Sequence, residues 1–184
     1  VVTVVDDKAH YYPGASSFIV KMIADKETKK LLGLQVLGKG AVDKMVDIAV
    51  TAITLNASLE DIENMDLAYA PPFSTAIHPF SHTVNVLLNK ISGAFTTITP
   101  FEYKTNKPEG YKVIDASIAP SITGAPYMDL TKVTGPVEGY NLDDKLLLVC
   151  TKGKRAYLLQ NRLKHYGYTN TLVLEGGSTF SEVE

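Results

Sequence analysis

The sequence contains a single cysteine, Cys150, and no tryptophan. One cysteine cannot form an intramolecular disulfide, so we expect a reducing, cytoplasmic location. No apolar run approaches the ~20 residues that a membrane-spanning helix needs, and no signal peptide opens the chain, so we expect no membrane partner. The 18 basic and 20 acidic residues leave a net charge of −2, which argues against nucleic acid as a partner.

Two further motifs are missing. No Gly-x-Gly-x-x-Gly fingerprint occurs, so we expect this chain by itself to bind neither FAD nor a nicotinamide through a Rossmann unit. The four histidines show no metal-ligand spacing with Cys150, so we predict no metal site. The chain also lacks an initiating Met and opens in a strand-like run, which suggests a piece of a longer polypeptide, although processing could produce the same start.

The first half of the chain combines strand and helix patterns. Residues 17–24 and 30–37 are apolar runs of strand length, and the polar stretch between them predicts a β-hairpin. From Val42 the apolar spacing becomes helical, and Asn56 is a suitable end. A short helix capped at Ser58 and a third helix over 83–91 should follow. This pattern predicts an α+β domain with an antiparallel sheet and helices.

The second half has a different pattern, separated by a segment rich in Thr, Pro and Gly. That segment, 96–110, shows no apolar period and predicts a linker between domains over 1–95 and 111–184. Beyond it, we predict three short buried strands, over 111–115, 145–149 and 171–174, and one helix over 154–166. Irregular segments connect these elements. Such an order predicts a small α/β domain with a parallel sheet.

Cys150 lies directly after one of these strands and directly before the helix, which is where open α/β folds bind their ligands. Gly153 lets the loop bend back so that backbone N–H groups point at a common centre. The helix N-terminus adds partial positive charge, and Lys152, Lys154 and Arg155 add full charges. Each favours the nucleophilic thiolate. Taken alone, Cys150 could equally be a small buried residue at the end of a strand.

The residues of this loop resemble a known family motif. The loop has Cys150 at its first position, Gly153 at its fourth and Arg155 at its sixth. This spacing resembles the active-site loop of the rhodanese family, in which the cysteine forms a persulfide. Thr151, Lys152 and Lys154 complete the persulfide-binding loop that the resemblance implies. Three other segments are similar to the family's opening strand, closing strand and Gly-Gly turn: 113–115, 167–170 and 174–177.

The chain also departs from the rhodanese pattern. Ala116-Ser117 stands where the family has a hydrophobic residue and an arginine, and the region over 116–126 is shorter by about a helix. Related phosphatases place five residues between Cys and Arg, whereas this loop has four, which suits sulfur better than phosphate.

The first half resembles the C-terminal dimerisation domain of flavin-dependent pyridine nucleotide-disulfide oxidoreductases. It is most similar to the branch of coenzyme A-disulfide reductases, NADH oxidases and persulfide reductases, some of which carry a fused rhodanese domain. The matching stretches are 10–15, 32–38, 43–44 and 66–74. The resemblance implies a homodimer through residues 1–95, and FAD, NAD(P)H and coenzyme A as cofactors or ligands of a full-length parent. The flavin-proximal redox cysteine would lie outside this sequence.

The same resemblance implies site residues in the first half. Tyr11 and Tyr69 match two tyrosines that reach the partner subunit's redox cysteine and its thiol or persulfide substrate. A phenol can donate a hydrogen bond to a developing thiolate. His78, before Pro79, matches the catalytic histidine of glutathione-reductase-type relatives, although a structural role is the commoner one for such a residue.

Two functions remain open at this point. The first is part of an FAD- and NAD(P)H-dependent disulfide or persulfide reductase, with Cys150 carrying sulfane sulfur as a persulfide on a small thiol, disulfide or persulfide substrate. The second is a catalytically inactive module for dimerisation and partner docking, with a degenerate rhodanese domain. The shortened 116–126 region and the missing arginine favour the second.

Overall fold

The computed structural model describes residues 1–180, 182 and 183. The chain divides into two compact units, Val1–Ser92 and Gly93–Glu184. The division falls close to the end of the predicted first domain, but it leaves no room for the predicted linker. Within the described residues, no helix is long and apolar enough to cross a membrane.

The first unit contains a three-stranded antiparallel sheet in the order β1-β2-β3. The strands are β1 (Val2–Asp6), β2 (Ser17–Ala24) and β3 (Leu31–Gly38). β2 and β3 form the predicted hairpin. Phe18, Val20 and Met22 alternate along β2 and are almost fully buried, because successive side chains of a strand point to opposite faces.

Three helices complete the first unit: α1 (Val42–Thr54), α2 (Leu59–Glu63) and α3 (Pro79–Ile91). Met45, Ala49 and Ala52 form the buried face of α1, which confirms the helical spacing read from the sequence. Ser58 caps α2 through a reciprocal capping box with Asp61. The prediction for α3 began too late, because proline at the first helical position opens a helix.

The second unit contains a four-stranded parallel sheet in the order β4-β7-β6-β5. Its strands are β4 (Thr97–Ile98), β5 (Lys112–Asp115), β6 (Leu146–Val149) and β7 (Thr171–Leu174). All four residues of β6 are buried, as expected for a central parallel strand. The predicted small α/β layer is therefore present.

The linker predicted over 96–110 is wrong. β4 pairs with β7, and helix α4 (Pro100–Thr105) follows at once, capped by Thr99 and Glu102 in a reciprocal capping box. Gln160 of the second unit is fully buried and binds this segment. Its Nε2 donates a hydrogen bond to the Thr96 carbonyl at 2.8 Å. A two-residue strand is too short to show an apolar period, which is why the sequence pattern missed it.

One further helix and two short turns complete the second unit. Helix α5 (Lys154–His165) connects β6 to β7. Two short 3₁₀ turns, Leu130–Lys132 and Gly177–Thr179, precede β6 and follow β7 respectively. The carboxyl ends of β5, β6 and β7 therefore share one edge of the sheet, and the candidate site lies there.

Candidate functional site

Cys150 is the first residue after β6, and its side chain is only 4% exposed. Its Sγ accepts a hydrogen bond from the backbone N–H of Ala156, in the first turn of α5, at 3.4 Å. Gly153 is the N-cap of that helix and adopts φ +89°, a left-handed conformation that favours glycine. The predicted strand–Cys–loop–helix arrangement is thus confirmed, with the sulfur atom at the positive end of the helix dipole.

The turn after β7 holds the start of this loop. The Ser178 N–H donates to the Cys150 carbonyl at 3.1 Å, and the Thr179 N–H donates to the Thr151 carbonyl at 3.0 Å. The Thr179 hydroxyl donates to the same Thr151 oxygen at 2.7 Å. These hydrogen bonds fix the backbone position of Cys150 and Thr151.

Gly177 makes this close approach possible. A Cβ atom at this position would lie 1.9 Å from the Cys150 carbonyl oxygen and 2.7 Å from that of Thr151. Gly177 also has φ +59°. The Gly-Gly turn was noted in the sequence, but its contact with Cys150 was not predictable there.

Arg155, in the first turn of α5, is held at two points. Its Nε donates a hydrogen bond to the Ala116 carbonyl at 3.2 Å, and its Nη2 lies 3.6 Å from Oδ1 of Asp129 in an ion pair. Lys152 and Lys154, by contrast, are exposed. Asp129 is a component of the site that the sequence analysis missed.

The shortened segment after β5 is organised by Asp115, whose side chain is fully buried. Its carboxylate accepts backbone N–H groups from Ser117 at 2.9 Å, Ser121 at 2.6 Å and Ile122 at 2.9 Å. Burial by itself would raise the pKa of Asp115, but these hydrogen bonds outweigh it and hold that pKa below its usual value. The turn therefore presents the Ala116 carbonyl to Arg155 in a defined position.

Tyr11 and Tyr69 come together in the first unit. The two phenol groups interact with each other, and both residues are well exposed, at 68% and 51%. Desolvation, then the charge interaction and hydrogen bond with Tyr11, raise the pKa of Tyr69. The Tyr69 phenol is therefore protonated at neutral pH and able to donate a hydrogen bond.

His78 is buried and caps α3. Its Nδ1 accepts the backbone N–H of Phe80 at 3.2 Å. Burial, followed by the positive charge of Lys44, lowers the pKa of His78 from 6.5 to about 4. His78, Lys44 and Phe73 line a pocket of about 480 Å³. At neutral pH the histidine is uncharged and serves as a hydrogen-bond acceptor for the helix.

The low pKa of His78 has a consequence for stability. The unfolded chain binds a proton at this histidine below about pH 6.5, whereas the folded chain does so only below about pH 4. The free energy of unfolding should therefore fall between these pH values, by on the order of 2–3 kcal/mol. His78→Asn keeps a good N-cap and should remove this part of the pH dependence.

Urea unfolding at several pH values, followed by the amide NMR signals of α3, measures the effect. His165→Asn, at an exposed position, is the matched control and should leave the slope unchanged. If His78→Asn kept the wild-type slope between pH 6.5 and 4, the proposed linkage would be wrong.

Within residues 1–180, 182 and 183, no three His, Cys, Asp or Glu side chains form a candidate metal site. The turn after β5 is closed on the Asp115 carboxylate and has no glycine-rich loop for a pyrophosphate. This turn therefore does not fit the pyrophosphate of FAD or of a nicotinamide cofactor.

Comparison with known families gives a match in the first unit. Residues 2–80 match the family model described as pyridine nucleotide-disulphide oxidoreductase, dimerisation domain. The same part of the chain is similar to coenzyme A-disulfide and sulfur or persulfide reductases. It is 39% identical over 80 residues to a CoA-dependent NAD(P)H sulfur oxidoreductase of Pyrococcus furiosus, covering 44% of this chain and 18% of that protein. It is 37% identical over 71 residues to the coenzyme A disulfide reductase of Staphylococcus epidermidis, covering 39% and 16%.

Two solved structures match both units. A NAD-dependent persulfide reductase from A. fulgidus superimposes with a TM-score of 0.86 at 30% identity, and reduced Bacillus anthracis CoADR-RHD with 0.88 at 28% identity. Each match covers 98% of this chain and 33% of the other. The chain thus spans a third of these structures and less than a fifth of the curated relatives named above.

Proposed function

We propose that this chain contributes the dimer interface and a rhodanese-like sulfur-transfer domain to an FAD- and NAD(P)H-dependent disulfide or persulfide reductase. Cys150 is the nucleophile that carries sulfane sulfur. The observation that carries this proposal is the position of Cys150, at the carboxyl edge of the parallel sheet and at the N-terminus of α5. The match of both units, in this order, to a persulfide reductase supports it.

The chemical step is a transfer between two sulfur atoms. The Cys150 thiolate attacks the outer sulfur of a hydropersulfide, R–S–SH, and a new Sγ–S bond forms as the original S–S bond breaks. The electron pair of the broken bond leaves with R–S⁻, and the proton stays on the transferred sulfur. The products are the Cys150 persulfide and a thiolate, and no external oxidant or reductant is consumed.

The loop's groups have defined roles in that step. The Ala156 N–H and the positive end of α5 face Sγ, where they stabilise negative charge carried by the sulfur during the transfer. The turn over Gly177–Thr179 holds the Cys150 and Thr151 carbonyls by hydrogen bonds. The sulfur atom is therefore held in one place relative to its donors, which is what an efficient transfer requires.

The tyrosine pair belongs to the reductase part of the proposal. Tyr11 and Tyr69 would reach the redox centre of a partner subunit, where a phenol donates a hydrogen bond to the thiolate released from a disulfide or persulfide. Their interaction with each other and their exposure support this role, because both side chains are accessible from outside the first unit. Relatives with this domain have names that include NAD(P)H and coenzyme A.

The homodimer can be tested directly. Large apolar side chains are exposed on the first unit, at positions Tyr11, Leu32, Leu37, Tyr69, Phe73 and Ile77. Burying them against a second copy would remove them from water, which favours association. Sedimentation velocity at micromolar concentration should show a species of twice the 20.0 kDa chain mass. A single monomeric species throughout that range would contradict the proposed interface.

Sulfur transfer is tested by mass. Incubation of the chain with a hydropersulfide, followed by intact-mass analysis, should show a gain of roughly 32 Da, the mass of one sulfur atom, on the peptide that contains Cys150. Reduction with dithiothreitol should remove it. If wild-type protein gained no such mass, the inactive docking module would become the better interpretation.

A further inference from the structure

Asp129 is a charged residue at the edge of the loop whose position is unusually well defined. It is the N-cap of the short turn over Leu130–Lys132, and its Oδ1 accepts hydrogen bonds from the Thr131 N–H at 2.9 Å and the Thr131 hydroxyl at 2.8 Å. These bonds from Thr131, with smaller contributions from Lys132 and Arg155, lower the pKa of Asp129. Its carboxylate is therefore negatively charged at neutral pH and held in place.

The two contacts of Arg155 have different effects. The bond from Nε to the Ala116 carbonyl sets the direction of the guanidinium group without adding charge. The ion pair with Asp129 adds a negative charge 3.6 Å from Nη2. Among residues 1–180, 182 and 183, Nη1 has no hydrogen-bond or ion-pair partner, and the Arg155 side chain is 26% exposed, so an incoming molecule can contact the guanidinium group.

We propose that Asp129 determines donor specificity at the Cys150 loop: by offsetting the charge of Arg155, it disfavours doubly charged sulfur donors, such as thiosulfate, relative to hydropersulfides. This inference rests on the proposed sulfur-transfer function. A dianion interacts with a nearby charge twice as strongly as a monoanion does. Cancelling the positive charge of Arg155 therefore costs thiosulfate more than it costs a donor that is neutral or singly charged.

Both donors can load the same sulfur atom. With thiosulfate, the Cys150 thiolate attacks the outer, sulfane sulfur, the S–S bond breaks, and sulfite leaves with the electron pair. The two negative charges of thiosulfate leave as sulfite, and the charge of the thiolate moves to the new persulfide. With the hydropersulfide of 2-mercaptoethanol, whose organic part is uncharged, the thiolate of 2-mercaptoethanol leaves. The product on the protein is the Cys150 persulfide in both cases.

Asp129→Asn tests the proposal because it removes the charge and keeps an oxygen acceptor for Thr131. The rate of Cys150 loading is measured by intact mass for each donor. A partly exposed ion pair of this kind changes affinity by up to about fivefold, so loading from thiosulfate should rise about threefold to fivefold, and loading from the hydropersulfide less than twofold. The gain should disappear at about 0.5 M salt, which screens charge but leaves packing unchanged.

Two variants serve as controls. Asp143→Asn makes the same change in net charge at an exposed position that precedes β6, at the opposite edge of the sheet from Cys150, and should leave both rates unchanged. Asp129→Glu keeps the charge and should keep the wild-type preference between donors. Circular dichroism and amide exchange over 129–133 check that the variants are folded.

The possible results distinguish a failure of the specificity role of Asp129 from a failure of sulfur transfer at Cys150. If Cys150 loads from either donor but Asp129→Asn leaves the ratio of the two rates at the wild-type value, the specificity role is overturned and sulfur transfer stands. A lower ratio in the variant would also overturn it, since Asp129 would then assist the dianion. If wild-type Cys150 loads from neither donor, the proposed function fails and the inference with it.

Discussion

Replacing Cys150 with serine should abolish sulfur loading altogether, with a fall in the rate of at least about 10³-fold, since an alcohol at neutral pH is not an effective nucleophile. Serine is close to cysteine in volume, and its hydroxyl oxygen can accept the Ala156 N–H that now binds Sγ. The site should therefore stay folded while its chemistry is lost. Intact-mass time courses with a hydropersulfide measure the effect.

The variant is informative because the chain contains one cysteine. The Cys150→Ser variant has no thiol, so a gain of one sulfur in it could not be a cysteine persulfide. Such a gain would refute the assignment of Cys150 as the nucleophile. Lys104→Gln, an exposed change in the same unit, provides a control that should load like the wild type. Circular dichroism of all three proteins should coincide.

Gly177→Ala should be the most destabilising change near the site, lowering the free energy of unfolding of the second unit by about 3 kcal/mol or more. The new Cβ would lie 1.9 Å from the Cys150 carbonyl oxygen, and this oxygen belongs to the backbone, so it cannot move without displacing the sulfur. The left-handed φ of +59° adds strain. Loading of Cys150 should fall with stability, because the loop loses the hydrogen bonds from Ser178 and Thr179.

Gly124→Ala is the matched control, because it separates backbone strain from the steric clash. Gly124 also has positive φ, +77°, but a Cβ there would meet no atom within 4 Å. It should cost only about 1–2 kcal/mol, the usual penalty for a left-handed residue with a side chain. Urea unfolding followed by the amide signals of β6 and β7 compares the two. If both variants lost the same free energy of unfolding, the steric contact between residue 177 and the Cys150 carbonyl would contribute nothing to the destabilisation.

Much of the local structure was predictable because it depends on neighbouring residues. The hairpin of β2 and β3 follows from two apolar runs around a polar turn, and α1 from apolar spacing that begins at Val42. The capping box at Ser58 is a local pattern of the same kind. Cys150 was located correctly at a strand-to-helix turn for the same reason, since the apolar β6 and the helical spacing of α5 both adjoin it.

The errors came from segments with weak or mixed local signals. The predicted linker over 96–110 has the composition of a loop, yet Thr99 and Glu102 are spaced as a capping box, and that signal was available. The pairing of β4 with β7 was not, because it joins residues that are far apart in the chain. The shortened 116–126 region suggested degeneration, whereas Asp115 gives it a defined structure through buried hydrogen bonds.

From residue order alone, the chain could be divided into an antiparallel and a parallel part, and its one thiol could be placed at the end of a strand before a helix. These features follow from periodicity and capping, which act over a few residues. Only the folded structure brought Tyr11 to Tyr69, Asp129 to Arg155, and Gly177 to the backbone of Cys150. Contacts between distant residues depend on strand order and packing, and no pattern within either segment specifies them.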